Sequence, residues 1–353
     1  MKKAMLLIPL LGGIVLQTRA QGFKIGLQGQ KQTGMALTGV GYLTGASAIY
    51  FNPGALSFID RSNIEAGVTA LIPKTEFVDG NTQNKYYTDN QVFPPFGVYG
   101  VYKINKKLAA GVGAYTPFGS GLRWQENWSG RFILHEIELQ SVFIQPTVSY
   151  QLTDKLGIGI GGVYALGKVT LSRDIPVNNS QGNYPRATLT GNAHNFGFNA
   201  GVFFKGSENF SAGITYHSRI DMKIDNGDAR FTGMPASLQS QFPNTTFNTT
   251  LPLPSELSAG IGYRPIPPLL LALDVSYTFF HSYDTLAFDY KQNTAALQDS
   301  KSPRDYKDVP AFKLGAQYTL CPRLDIRGGV FYAVTPVQQG YSSPELPDNN
   351  RIG

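Results

Sequence analysis

From Asn63 onward the chain alternates apolar with polar or small residues at a period of two, segment after segment, with turn signals between the segments. That period forbids amphipathic helices and demands strands. About eleven such segments can be read. In the first, Ile64, Ala66, Val68, Ala70 and Ile72 face one way, while Glu65, Gly67 and Thr69 face the other. The segments from Phe96 to Lys103 and from Leu108 to Thr116 flank a tight Asn105-Lys106-Lys107 turn. A fourth runs near Gln140 to Leu152. The fifth sets Leu156, Ile158, Ile160, Tyr164 and Leu166 against Gly157, Gly159, Gly161, Val163 and Ala165. The sixth sets Phe196, Phe198, Ala200, Val202 and Phe204 against Asn195, Gly197, Asn199 and Gly201, and the seventh continues through Phe210, Ala212, Ile214 and Tyr216. Four more follow, around Leu257 to Tyr263, Leu269 to Tyr277, Phe312 to Tyr318 and Leu324 to Tyr332.

A soluble sandwich alternates too, so the period alone leaves open whether the apolar face meets a core or lipid. Three further features favour lipid. Tyr ends the apolar phase at 102, 150, 164, 216, 263, 277, 318 and 332, as in an interfacial aromatic girdle. Short turns at 105–107, 153–155 and 206–207 alternate with long polar excursions at 79–90, 225–253 and 291–308, as in barrels with short periplasmic turns and long outer loops. The first twenty residues have two lysines, an apolar run from Ala4 to Leu16 and a small-residue Thr18-Arg19-Ala20 cleavage region, which reads as an export signal. The apolar run is too short to span a bilayer, and no later run reaches about 18 residues, so no transmembrane helix is expected. A mean hydropathy of -0.14 agrees with apolar residues at every second position. The expected fold is all-β, a transmembrane antiparallel barrel. An even strand count is the rule for bacterial barrels, so closing strands are expected beyond the eleven.

Charge and cysteine content remove other classes. One cysteine in 353 residues gives no disulfide framework. The net charge of +6 rests on only 15% charged residues with no long basic run, so nucleic acid is not an expected partner. His135, His194, His217 and His281 show no metal spacing, no Gly-x-Ser-x-Gly elbow occurs, and His217 beside Ser218 is mere adjacency. No catalytic residue, metal or cofactor is assigned, and the chain is not expected to be an enzyme; a barrel-embedded lipid hydrolase is kept as the alternative from another class.

Between the export signal and the first strand lies a segment rich in Gly, Ala, Ser and Thr, Gly22 to Phe58, ending in Asn52-Pro53-Gly54-Ala55-Leu56. Small side chains there fit inside a lumen lined by Gly, Asn and Ser. The division expected is 1–20 signal peptide, 21–60 hatch and 61–353 barrel.

The order of several short motifs resembles the FadL/TodX family of outer-membrane transporters. These are Gln21-Gly22-Phe23, the hatch up to Asn52-Pro53, Thr116-Pro117-Phe118-Gly119, Trp128-Ser129-Gly130-Arg131, Gln145-Pro146-Thr147-Val148-Ser149-Tyr150, Leu253-Pro254 and Pro347-Asp348-Asn349-Asn350-Arg351. The resemblance covers nearly the whole chain. It implies a fourteen-stranded barrel of which about eleven strands are present, a monomer in the bacterial outer membrane among its lipid and lipopolysaccharide, and passive, ligand-gated uptake of hydrophobic molecules. Long-chain fatty acids are the first expectation and aromatic hydrocarbons the alternative. By position, Phe23 matches the aromatic that reaches into the ligand pocket, and Asn52 with Pro53 the latch that bonds a kink in the third strand. Gly54 departs from the family's alanine.

The residues allow the kink, because Pro117 has no amide hydrogen and Gly119 tolerates irregular backbone; a plain strand end over Thr116 to Gly121, including Phe118, is the alternative. In the inward phase Phe143, Phe203 and Phe331 are candidate ligand contacts, or alternatively hatch contacts. Arg264, Lys313 and Arg327 are candidate partners for a carboxylate, against the plainer alternative of lumen ion pairs with Asp325. Trp128 and Arg131 serve either the rim or ligand capture.

Overall fold

The computed structural model describes residues 22–178 and 182–353, so the expected signal peptide lies outside the described residues. Eleven strands build the wall: β1 (Asn63–Val68), β2 (Phe96–Lys103), β3 (Leu108–Tyr115), β4 (Glu136–Gln151), β5 (Leu156–Asp174), β6 (Arg186–Lys205), β7 (Phe210–His217), β8 (Ser255–Ile266), β9 (Leu269–Phe279), β10 (Val309–Cys321) and β11 (Leu324–Ala333). Each pairs antiparallel with the next in sequence, from Ile64↔Gly100 at one end to Lys313↔Phe331 at the other. A stub, Arg351–Ile352, pairs with β11. Among the described residues no ladder joins β1 to β11 or to the stub.

The alternation behaves as lipid-facing strands require. Ile64 is 81% exposed and Phe196 72%, and Val112, Ile160, Ile214, Leu314 and Val330 also point outward. In water each such side chain would forgo roughly 1.5–3 kcal/mol of burial, which a hydrocarbon surround supplies instead. Tyr102, Tyr150, Tyr263, Tyr277, Tyr318 and Tyr332 join this outer face. Among the described residues no helix is long and apolar enough to cross a membrane.

The sheet wraps around the N-terminal segment, which contains two one-turn helices, α1 (Gln30–Thr33) and α2 (Ala48–Phe51), and a 3-10 turn over Pro53–Phe58. Its contacts reach both edges of the sheet. Glu65 of β1 accepts the Ala46 and Ser47 amides at 3.0 and 3.1 Å, and Ala36 lies against Gly329 of β11. In between, Gln145 of β4 and Asn199 of β6 both donate to the Ile49 carbonyl, at 2.6 and 3.0 Å. Close approach is possible because the facing wall residues are often glycine: a Cβ on Gly159 would lie 2.3 Å from the Pro53 carbonyl carbon.

Two expectations change. The excursion at 225–253 is not a polar loop: Ile220–Thr232 and Thr245–Leu253 are paired strands joined through a 3-10 turn at Ala236–Gln241. That at 291–308 likewise includes Ser300–Pro303, paired to Thr285–Tyr290. β4 and β5 also extend further than the sequence period suggests, pairing as far as Asp174 in β5 with Arg186 in β6. In Ile220–Thr232 the phase is reversed, with Ile220, Met222 and Ile224 buried and Lys223 and Asp225 exposed, so this strand lacks the apolar outer face by which the other wall strands are read.

Candidate functional site

The third wall strand breaks at Pro117. Tyr115 pairs with Phe143 and Gly119 with Gln140, so β3 and its continuation Gly119–Arg123 spend one more residue than β4 over this stretch, a bulge. On the β4 side, Ser141 replaces the ladder: its hydroxyl accepts the Phe118 amide at 3.2 Å and donates to the Phe118 carbonyl at 2.6 Å. On the other side the N-terminal segment docks. The Ile25 amide donates to the Pro117 carbonyl at 2.8 Å and the Gly119 amide to the Phe23 carbonyl at 2.9 Å. Phe23–Ile25 thus acts as a short added strand at the edge that the bulge exposes.

Strand geometry sends Phe23 and Lys24 to opposite sides. Phe23 is fully buried, with its ring 5.8 Å from Phe118, 6.0 Å from Phe280 and 5.7 Å from Tyr283. The Phe23, Phe118 and Tyr283 rings line an apolar cavity of about 920 Å³, open space at its mouth included, walled by Leu139, Leu171, Met222, Leu251 and Phe288. Its lining is almost wholly hydrocarbon, which suits an acyl chain or an aromatic ring and disfavours a polar solute.

Lys24 turns instead into two smaller cavities beneath, of about 480 and 650 Å³. There its ammonium is ion-paired with Glu256 of β8, both side chains close to fully buried. Glu256 also accepts from the Thr278 hydroxyl at 2.8 Å and from the Ser258 hydroxyl at 3.3 Å. The Ser258 and Ser276 hydroxyl oxygens lie 2.8 Å apart, and the Lys313 ammonium donates to Ser276 at 3.0 Å. A paired, hydrogen-bonded charge cluster of this kind is the form in which buried charge is tolerated. Next to Phe23 along the chain, the Gly22 amide is held by Asp348, which accepts it at 2.9 Å and the Thr335 hydroxyl at 2.8 Å. Burial pushes its carboxyl up to about 6.

The residues singled out in the sequence fall into three places. Phe23, Phe118, Pro117, Gly119, Phe143 and Lys313 come together at the cavities and the bulge, with Phe143 6.0 Å from Phe118. Phe331 borders the cavity shared by Lys24 and Lys313 and carries the Arg351 guanidinium 4.7 Å from its ring centre. Phe203 lies away from the cavities, against Phe58 of the hatch at 5.5 Å. Arg264 lies near the end of β8, at an irregularity between Tyr263 and Ile266, its amide bonded to the Asn209 carbonyl at 2.8 Å. Arg327 is engaged with Asp325 at 2.6 Å and Gln317 at 2.8 Å, the lumen ion pair that was the plainer alternative.

The latch is elsewhere than expected. Asn52, fully buried, donates to the Val40 carbonyl at 2.9 Å and to the Val202 carbonyl of β6 at 3.0 Å, and accepts the Gly54 amide at 3.0 Å. It therefore fastens the hatch to β6 and not to the Pro117 bulge, where Phe23–Ile25 dock. Gly54 has a physical reason: a Cβ there would lie 2.8 Å from the Gly201 carbonyl oxygen and 2.9 Å from that of Gly157. Trp128 and Arg131 form rim structure. Trp128 stacks on Trp124 at 4.4 Å and donates to the Leu134 carbonyl at 2.8 Å, while Arg131 lies over the rings of Phe132 and Tyr184. His217 and Ser218 are not brought together, since the imidazole Nε2 lies 3.0 Å from the Tyr50 carbonyl and the Ser218 hydroxyl accepts the Phe198 amide at 2.8 Å.

Sequence reasoning passed over Lys24, Ser141, Phe280 and Tyr283 and left Glu256 without a role. An acid in the inward phase of a strand was the one legible signal, and its partner is 232 residues away.

Residues 13–352 match the family model described as outer membrane protein transport protein (OMPP1/FadL/TodX). Outer membrane protein P1 of Haemophilus influenzae is 24% identical over 339 residues, covering 85% of this chain and 71% of that one. The long-chain fatty acid transport protein of Escherichia coli O6:H1 is 21% identical over 378 residues, covering 96% and 83%. Among solved structures, a Pseudomonas aeruginosa FadL homologue superposes with a TM-score of 0.77 at 19% identity over 94% of this chain and 85% of the other. The toluene transporter TodX of Pseudomonas putida superposes with a TM-score of 0.70 at 17% identity, over 96% and 89%.

Proposed function

The chain belongs to the OMPP1/FadL/TodX family of outer membrane transport proteins, and from that premise we propose that it takes up long-chain fatty acids by passive diffusion gated by its own N-terminus. It is an outer-membrane β-barrel transporter of hydrophobic ligands. The observation that carries the gating is the position of Phe23: one residue both floors the apolar cavity and belongs to the segment that fills the exposed edge at Pro117–Gly119.

The steps follow from that coupling. A ligand that enters from the outer side buries its tail among Leu139, Leu171, Leu251 and Phe288 and competes with the Phe23 ring for the floor. When Phe23 gives way, the backbone bonds from Phe23–Ile25 to Pro117 and Gly119 are lost with it. Two backbone bonds contribute about 1–3 kcal/mol together, on the scale of the burial gained by a few methylenes, in addition to what the Phe23 packing and the Lys24–Glu256 pair contribute. Release of that edge opens the wall beside the bulge, where Pro117 offers no amide to re-form a ladder. No energy source enters the scheme. An apolar lining this extensive favours an acyl chain over a single aromatic ring.

Labelled oleate and labelled toluene uptake, measured in cells with and without the protein, tests the reading. Oleate uptake should depend on the protein and fall with Phe23→Ala. Equal oleate uptake with and without the protein refutes it, and protein-dependent toluene uptake alone would transfer the assignment to aromatic hydrocarbons.

A further inference from the structure

We propose that the Lys24–Glu256 ion pair is exchangeable, and that a ligand carboxylate replaces Glu256 as the partner of Lys24 when the N-terminus moves, so that the gate opens to hydrophobic carboxylates in preference to neutral hydrocarbons. The inference rests on the reading of Phe23 as the gate.

Lys24 follows Phe23 directly, and the Lys24 backbone bridges Phe118. Displacement of Phe23 therefore moves Lys24. Glu256 is the partner found for the Lys24 ammonium among the described residues, and both are shielded from water. A ligand without charge that shifts the segment must separate this pair and leave a cation with no counterion in a nonpolar surround, which is strongly unfavourable. A carboxylate-bearing ligand exchanges one anion for another, and the charge count around Lys24 does not change.

The other half of the exchange is what Glu256 keeps. Thr278 and Ser258 still donate to its two oxygens, and Lys313 remains tied to the same network through Ser276. His217 and Asp274 also face this cluster. His217 is bonded to the Tyr50 carbonyl, while Asp274 is held by the Gly39 and Val40 amides at 2.7 and 3.0 Å, which fixes it on the hatch. Glu256 is therefore left with hydroxyl donors and a cation close by, whereas Lys24 is left with nothing unless the ligand supplies it. The asymmetry makes Lys24 the group that senses the ligand's charge. The geometry is also suitable, since Phe118 lines both the apolar cavity and the one that Lys24 enters. A tail in the first and a head in the second describes a single-tailed acid.

The test compares binding of oleate and of oleyl alcohol to the purified full-length protein, in wild type, Lys24→Met and the double charge swap Lys24→Glu with Glu256→Lys. The swap keeps an ion pair at the site, so it keeps the assay meaningful if Lys24→Met does not fold. Oleate should bind at least tenfold more weakly to both variants. Oleyl alcohol should bind Lys24→Met as well as wild type or better, because no cation has to be uncovered. If oleate and the alcohol weaken by the same factor, or if the swap binds oleate as wild type does, the exchange is refuted while gated uptake stands. If wild type binds neither ligand, the cavity assignment fails and the exchange with it.

Discussion

Substitution of Asn52 by alanine should release the hatch from the wall without unfolding the wall. Three hydrogen bonds disappear together, to the Val40 and Val202 carbonyls and from the Gly54 amide, at a residue with no exposed surface. A typical net contribution is about 1 kcal/mol each, and buried groups left without partners add more. A loss of about 3 kcal/mol in docking is a conservative sum. Since each 1.4 kcal/mol or so is tenfold, the undocked population should rise about a hundredfold. Hydrogen exchange read by mass spectrometry reports such local opening directly. Peptides covering residues 50–58 should exchange about a hundredfold faster in Asn52→Ala, while peptides from β5 should not change. Asn52→Asp keeps the acceptor for Gly54 but turns a carboxylate oxygen toward the Val40 and Val202 carbonyls in a buried site, so it should loosen the hatch at least as much as alanine does. If exchange over 50–58 rises by less than about threefold in Asn52→Ala, the reasoning that this side chain fastens the hatch is wrong.

Gly54→Ala should also loosen the hatch, by about 1–3 kcal/mol, because the added methyl meets the backbones of β5 and β6 and neither can retreat without breaking its ladder; the same exchange measurement detects it. Asp348 gives a pH dependence. Its folded pKa, about 6, lies above the ordinary value of 3.8, so in that window the native state holds a proton that the unfolded chain has released, and stability falls as pH rises from about 4 to about 6. The change is at most about 3 kcal/mol and should vanish in Asp348→Asn, as read from the heating midpoint of the gel-mobility shift at pH 4 and pH 7. Trp128→Ala should cost about 3–5 kcal/mol locally, by removing the stack on Trp124 and the bond to Leu134, and should render the segment from 124 to 135 sensitive to protease while β4 stays protected.

The wall was legible because lipid imposes a strict rule on it. A strand that crosses hydrocarbon must turn apolar residues outward at every second position, and Ile64, Ile160, Phe196 and Val330 obey. Ile220–Thr232 instead buries Ile220, Met222 and Ile224 and exposes Lys223 and Asp225, the reverse of the lipid-facing rule, so its polar outer face reads as a loop. Within the site, Phe23 and the Pro117 bulge could be found from position and from the missing amide. Phe203 and Arg264 could not be placed, because alternation tells which face a side chain takes but not how deep along the barrel it lies.

By itself, then, the sequence determined the eleven strands β1 to β11, the face that meets lipid, and a small-residue segment able to fit inside. The tertiary structure decided the partners. Lys24 meets Glu256 across 232 residues, and Asn52 meets Val202 across 150. Such pairings depend on where a segment without regular structure comes to rest inside the lumen. Many arrangements of it share the same composition, and the selection among them is made by close backbone approach at Gly54 and Gly159 and by the few buried donors that must find acceptors.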